Sequence, residues 1–298
     1  MSGRPLDHRV AIITGAASGL GREYAHHFAR SGARLVLTDV ASAGSSQGAQ
    51  SALDTLRTHL AGLGTEVVIH YGDIGDESTS DELVNLAVDT FGDVDVLINN
   101  AGNWYENDIV DTDTSAWDAV VRTHLRGSFL TTRAVGRYWR SVHQSGRPVA
   151  AAIVNTTSRS TLNAIPTHGV YAAAKAGVMS LTAVTAKELE PYGVRVNCVA
   201  PVARTPMAAQ VTAMKSQIEA IAPDVIFDEL APANVAPLVA YLSTQACSMS
   251  GQVFFCRGGV VEVYESWKSH GFITKGGQWT VSELAVMLPA CVGEGEVD

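Results

Sequence analysis

The chain has 298 residues, 46% hydrophobic and 17% charged, which excludes a disordered tail, a collagen and a coiled coil. Thirty acidic against 21 basic residues give a formal net charge of −9 with no Lys/Arg cluster, so no nucleic-acid partner is expected. No apolar run approaches the roughly 18 residues that cross a bilayer, and MSGRPLDHRV lacks the apolar centre of a signal peptide; the expectation is a cytoplasmic protein with no membrane partner.

Apolar runs of strand length alternate with segments of helical period, the pattern of βαβ units and a parallel sheet. In chain order, a strand at Val10–Thr14 leads to a helix at about 19–30. Strands follow at Arg34–Thr38 and Glu66–His70 with a helix at 50–62 between them. A helix at 78–91, a strand at Val94–Asn99, a long helix at 115–144 and a strand at Ala150–Asn155 come next. The series closes with a helix at 170–190, a strand at Arg195–Val199, a helix at 233–245 and a strand at Val253–Cys256. Near-continuous hydrophobicity fits strands covered on both faces. Right-handed crossovers then give an open, doubly wound α/β sheet of about seven strands. ASAGSSQGAQS at 41–51 reads as a surface loop, and 200–230 as irregular. No linker is visible, so residues 1–258 form one domain and 259–298 a C-terminal extension.

The first strand runs straight into TGAASGLGREYA, placing Gly15, Gly19 and Gly21 at a strand-to-helix turn with Ser18 and Leu20. Glycines there let backbone approach a pyrophosphate, which the free N–H groups and dipole of the helix N-terminus attract. The spacing Gly-x-x-x-Gly-x-Gly differs from the usual Gly-x-Gly-x-x-Gly. A turn that merely needs positive φ is the alternative, but the strand before and helix after favour a dinucleotide. Asp39 ends the second strand, 18 residues past Gly21. An acid there bonds ribose hydroxyls and repels a 2′-phosphate. No Arg or Lys follows it in VASAGSSQGAQS, and Ser18 rather than a base precedes Gly19, so the charges favour NAD over NADP. Arg22 reads as a solvated helix residue. Asp73, beside Ile74, either caps the next helix or accepts from an adenine amino group.

After the fifth strand comes NTTSRSTLNAIPTHGVYAAAKAGV. Tyr171 and Lys175, four apart in a helix, share a face. Ser158 lies at the strand's carboxyl end, where doubly wound sheets bind ligands. A phenol with an ordinary pKa of about 10 is a poor acid–base group at neutral pH. A neighbouring ammonium and an oxidised nicotinamide both favour phenolate and lower that value. The trio then offers a proton-transfer residue, a charge that tunes it and a hydroxyl for the substrate oxygen. The alternative is a surface Tyr–Lys pair beside an incidental serine.

TGAASGLG, NNAG at 99–102 and Ser158…Tyr171-x-x-x-Lys175 together resemble the short-chain dehydrogenase/reductase family, in order and spacing, across roughly residues 6–258. The resemblance implies a Rossmann-type fold and a nicotinamide cofactor. It makes Tyr171 the general acid/base, Lys175 its tuner and a ribose ligand, and Ser158 the holder of the substrate oxygen. Asn100, Ala101 and Gly102 would line the sheet beside the cofactor, and Pro201 and Thr205 would lie at the nicotinamide. Two departures stand out. His124, in WDAVVRTHLRGSF, occupies the place of the family's catalytic Asn. That Asn is thought to hold a water through its backbone carbonyl, which any residue offers, so His124 is expected to preserve the proton relay. In APVARTPM, Val202 replaces a glycine. HLRGSF, the insertion after Asp39 and the extension resemble the (3R)-hydroxyacyl-CoA dehydrogenase branch, found in multifunctional enzyme type 2 and in bacteria. That branch implies 3-hydroxyacyl-CoA thioesters or steroid alcohols as small-molecule substrates, and a homodimer or homotetramer built on the helices at 115–144 and 170–190.

Four cysteines without a CxxC pair, and histidines without ligand spacing, give no metal site. His168, three before Tyr171, either approaches the active-site mouth or is a loop residue near the helix start, the latter being the preferred reading. Trp104 and Tyr105 shape a substrate pocket or pack a subunit interface. Met207, Met214, Ile218 and Ile221 form a lid over the pocket or part of the core. The competing functions are an NADPH-linked 3-oxoacyl reductase, against which Asp39 speaks, and a silent NAD-sensing module, which would have lost Tyr171 or Lys175.

Overall fold

Strands buried on both faces need helices on both sides, and the chain supplies them in alternation. A computed structural model describes residues 4–40, 52–219, 226–265 and 271–292. The elements in order are β1 (Val10–Thr14), α1 (Gly19–Arg30), β2 (Arg34–Asp39), α2 (Ala52–Gly62), β3 (Val67–Tyr71), α3 (Glu77–Phe91) and β4 (Val96–Asn99). Then come α4 (Thr114–Val121), α5 (Gly127–Gln144), β5 (Ala151–Thr156), α6 (Gly169–Leu189) and β6 (Val194–Pro201). The last are α7 (Thr212–Glu219), α8 (Ala236–Ser243), β7 (Val253–Arg257), β8 (Val260–Tyr264) and α9 (Val281–Val292). The sheet order is β3-β2-β1-β4-β5-β6-β7-β8, parallel except for the last pair. Order reverses between β1 and β4, the switch point where such sheets open a ligand crevice.

Successive strand residues point to opposite faces, and both faces are filled. Ile13, Leu35, Leu37 and Ile98 pack with Tyr24 and Phe28 of α1 and Val239 of α8. Ile12, Val36, Leu97 and Ile153 pack on the other face with Leu83 of α3 and Trp139 of α5. Trp139 is 1% exposed, and its Nε1 donates to the Val94 carbonyl at 2.7 Å. Trp139→Ala is expected to cost about 3–5 kcal/mol, read from urea unfolding; a loss below about 1 kcal/mol would contradict this packing.

Three features depart from the sequence expectation. The helix expected at 115–144 is interrupted by a π-helical turn at Arg122–Arg126, where the Ser128 hydroxyl donates to the His124 carbonyl. Such single-turn bulges gather at functional sites. An eighth strand, β8, returns antiparallel through a two-residue turn, Gly258–Gly259, with Arg257 opposite Val260. α7 and α9 are further helices. The loop expected at 41–51 lies outside the described residues.

The chain divides into two compact units, residues 1–264 and 265–298. The second holds α9, whose start is a reciprocal cap: the Thr280 N–H donates to Glu283 Oε2 at 2.8 Å and the Glu283 N–H to Thr280 Oγ1 at 3.3 Å.

Candidate active site

The carboxyl ends of β1, β4, β5 and β6 frame a cleft of about 680 Å³. All the dinucleotide-end residues picked from sequence line it except Gly21: Gly15, Ser18, Gly19, Leu20, Asp39, Asp73, Ile74, Asn100, Ala101, Gly102, Pro201 and Thr205. Gly21 acts from behind, since a Cβ there would collide with the Gly15 carbonyl. Gly15 has φ +65°, and its Cβ would lie 2.7 Å from Ala101 Cα, so both conformation and space require glycine. The asparagine stretch is stitched to this turn. Thr14 Oγ1 accepts from the Asn100 and Ala101 N–H groups at 3.0 Å each, and Asn100 Nδ2 donates to the Thr14 carbonyl at 2.9 Å.

This end fits a dinucleotide. The first turn of α1 carries no acidic residue, and the Ser18 side chain makes no capping bond, so the helix start keeps its free donors for an anion. Asp39 is held at the rim by the Ala17 N–H on Oδ2 (2.9 Å) and the Val40 N–H on Oδ1 (2.8 Å). The cations lining the cleft, Arg159, Lys175 and Arg257, belong to β5 onwards rather than to the Asp39 end. Asp73 does not cap α3, whose N-cap residue is Asp76. It accepts instead from the Gly75 N–H (2.7 Å) and from Arg122 Nε (3.1 Å), because its side chain turns back into its own loop.

At the other end, the structure brings Ser158, Tyr171 and Lys175 together. Ser158 starts a 3₁₀ turn after β5 and lines the same cleft as Tyr171. Lys175, one turn along α6, lies with Nζ 5.7 Å from the Tyr171 ring centre and donates to the Thr156 carbonyl at 2.7 Å. Burial pushes the Tyr171 hydroxyl up to about 12, the Ser158 hydroxyl opposing it. Burial pulls Lys175 down to about 8. Burial disfavours charge on both groups in the protein without its cofactor, so the phenolate expected from sequence draws on the oxidised nicotinamide as well as on Lys175.

His124 sits in the π turn, 1% exposed, its ring edge-on to Tyr171 at 5.2 Å. Nε2 lies within hydrogen-bond distance of both the Asn103 N–H (3.2 Å) and the Asn103 carbonyl (2.8 Å). Nδ1 is buried without a hydrogen-bond partner among the described residues. Burial, then the Lys175 charge, holds the imidazole well below its usual range, so it is neutral. The carbonyl expected to carry a water accepts from Ser128 Oγ at 2.7 Å.

The loops after β4 and β5 bring further side chains to the site. Trp104 packs edge-on to both Tyr171 (4.6 Å) and His168 (4.8 Å) and lines the cleft. His168, expected in a loop, is the buried N-cap residue of α6 and sits 2.9 Å from Ser160 Oγ. Tyr105 packs with Val120, Val170 and Ala174. Met207 and Met214 line the cleft; Ile218 does not, and Ile221 lies outside the described residues. Beneath the site, Asn99 Nδ2 donates to Asn155 Oδ1 (2.9 Å) and Asn155 Nδ2 to Thr182 Oγ1 (2.9 Å), a buried polar pair tying β4, β5 and α6. Asparagine at two strand ends, in VLINN and AIVNT, is its only sequence trace.

The sequence pattern of the short chain dehydrogenase family matches residues 9–216. The chain belongs to that family. This dehydrogenase is 38% identical to the hydroxyacyl-CoA dehydrogenase ChsB1 of Mycobacterium tuberculosis, over 95% of its own length and 88% of the relative's. It is 36% identical to the peroxisomal multifunctional enzyme type 2 of Drosophila melanogaster over 82% of its length, spanning 38% of that longer protein. A crystal structure of a short chain dehydrogenase from Mycobacterium avium superimposes with a TM-score of 0.87 at 38% identity, covering 97% of this chain and 96% of that one. The dehydrogenase is thus an oxidoreductase acting on CH–OH groups with a nicotinamide cofactor. Among its described residues, no helix is long and apolar enough to cross a membrane.

Proposed function

We propose that this dehydrogenase oxidises the 3-hydroxyl of an acyl-CoA thioester, or a steroid-like secondary alcohol, with NAD as acceptor. The observation that carries the reading is the meeting of Ser158, Tyr171 and Lys175 in a cleft whose far end is a glycine cradle rimmed by Asp39. A bound nicotinamide supplies the hydride acceptor. Ser158 and Tyr171 hold the alcohol oxygen, and Tyr171, as phenolate, takes its proton. Lys175 and an ordered water return that proton to solvent, with the unpartnered Nδ1 of His124 as a further relay point. A large apolar substrate part is supported by the lining from Trp104, Ile165, Met207, Val211 and Met214, and a thioester by the hydroxyacyl-CoA relative. Exposed Phe129 on α5 and Val184 on α6 support a homodimer or homotetramer, and the reading places the enzyme in the cytoplasm.

The test is NAD reduction across 3-hydroxyacyl-CoA esters, hydroxysteroids and simple secondary alcohols; turnover of simple alcohols alone would reject the substrate class. NADH is expected to bind roughly tenfold or more tighter than NADPH, since juxtaposed like charges cost several kcal/mol, and Asp39→Ser to erase that preference. Equal affinities in the wild type would reject NAD in favour of an NADPH-linked reductase.

A further inference from the structure

The cleft is divided by charge. Among the described residues, the acids that line it are Asp39 and Asp73, both at the dinucleotide end, while Arg159 and Arg257 line the other. Arg159 directly follows Ser158, and its guanidinium lies over the Phe255 ring, 5.3 Å from the centre. Phe255 and Arg257 are two apart in β7 and point to the same side of the sheet. Both guanidinium-bearing side chains therefore meet on the β7 side of the cleft.

Both groups are short of partners. The Arg159 guanidinium has no hydrogen bond or ion pair among the described residues. Glu262, opposite Phe255 in β8, accepts instead from the Tyr264 hydroxyl at 3.0 Å. Arg257 reaches Glu229 at 3.7 Å, a carboxylate whose side chain is 64% exposed, and a loose, solvated pair of this kind contributes little. Arg257 Nε is buried without a hydrogen-bond partner among the described residues, and a buried donor left unmade costs free energy. Two planar donor forks in this condition suit a phosphate.

The dinucleotide does not supply that phosphate. Its pyrophosphate belongs at the turn after β1, and β7 lies four strand spacings from β1, about 19 Å, farther than an arginine side chain reaches. From the Ser158 end of β5 to β7 there are two spacings, about 10 Å. A CoA thioester held at Ser158 carries its phosphates on a flexible pantetheine arm that can fold back over this distance. A hydroxysteroid or a simple alcohol carries no anion. The chain has a formal net charge of −9 and repels a polyanion as a whole, so capturing one needs a local cationic patch. We propose that Arg159 and Arg257 hold a phosphate of the CoA arm and so select a CoA thioester over neutral alcohols. The inference rests on the thioester reading above and names the residues that recognise the carrier.

The experiment presents one neutral 3-hydroxyacyl group as its CoA ester and as its N-acetylcysteamine ester, which keeps the thioester and lacks every phosphate. In the double variant Arg159→Gln/Arg257→Gln, the ratio of kcat/KM for the CoA ester over the N-acetylcysteamine ester should fall roughly five- to thirtyfold, through KM. That is the range of one or two charge-assisted hydrogen bonds at a partly solvated site. Arg159→Lys/Arg257→Lys keeps the charge and should restore much of the ratio. Free CoA, titrated calorimetrically, should bind the glutamine variant more weakly than the wild type by a similar factor, a reading that needs no turnover. A ratio within about twofold of wild type, or equal CoA affinities, overturns the proposal; if the double variant does not fold, the single variants decide by the same two measures. A wild type that oxidises hydroxysteroids or simple alcohols but neither ester refutes the thioester reading itself, and this inference with it.

Discussion

Tyr171→Phe is expected to lower kcat by about 10²- to 10⁴-fold, the contribution of a positioned general acid or base, while cofactor affinity stays nearly unchanged. The ring survives the substitution and keeps its edge contacts with Trp104 at 4.6 Å and His124 at 5.2 Å, so the cleft should hold its shape. What disappears is the buried hydroxyl itself. Steady-state rates paired with an NADH fluorescence titration separate the two effects. Turnover within about tenfold of wild type would show that another group moves the proton.

Lys175→Met should produce the opposite pattern in stability and activity. Burial depresses the Lys175 pKa from 10.5 to about 8, so the folded protein disfavours the charged amine that the unfolded chain carries freely. This penalty is fully present below about pH 8, shrinks as pH rises and is gone above about 10.5. At about 1.4 kcal/mol per pKa unit, removing the amine should stabilise the cofactor-free protein by roughly 1–3 kcal/mol at pH 7, less the lost bond to the Thr156 carbonyl. Near pH 10.5 the gain should vanish. Urea midpoints at the two pH values check this, and kcat should fall in the same variant. Equal destabilisation at both pH values would contradict a buried, penalised amine. Burial disfavours charge on both Lys175 and Tyr171, so the positive nicotinamide of an oxidised cofactor is expected to add to the lysine in favouring phenolate.

The sheet was legible because its strands are buried on both sides. Runs such as VAIIT and RLVLTD carry no alternation to mislead, and Gly15, Gly19 and Gly21 mark the one turn where backbone must come close to a ligand. Tyr171 and Lys175 could be paired because four residues in a helix return to the same face. The eighth strand has its own sequence signal, the Gly258–Gly259 pair between VFFCR and VVEVY, but it returns antiparallel at the sheet edge, outside the alternation of strands and helices that marks the other seven. The π turn at His124 leaves no clear periodic trace, since one extra residue in a turn only shifts the phase of the pattern on either side. Trp104 could be placed at a pocket from sequence, but its packing on His168 and Tyr171 and the place of Ser160 could not, because they depend on the loops after β4 and β5 folding toward each other and on Thr167 at φ +68°, which no local propensity favours.

The most direct measurement is an ultraviolet difference titration of tyrosine ionisation, with and without saturating oxidised NAD, using Tyr171→Phe as the blank. The expected result is one tyrosine, missing from Tyr171→Phe, that ionises well below its cofactor-free value of about 12 once the dinucleotide is bound. A titration that the dinucleotide leaves unchanged, or a shifted tyrosine still present in Tyr171→Phe, would contradict Tyr171 as the group that moves the proton.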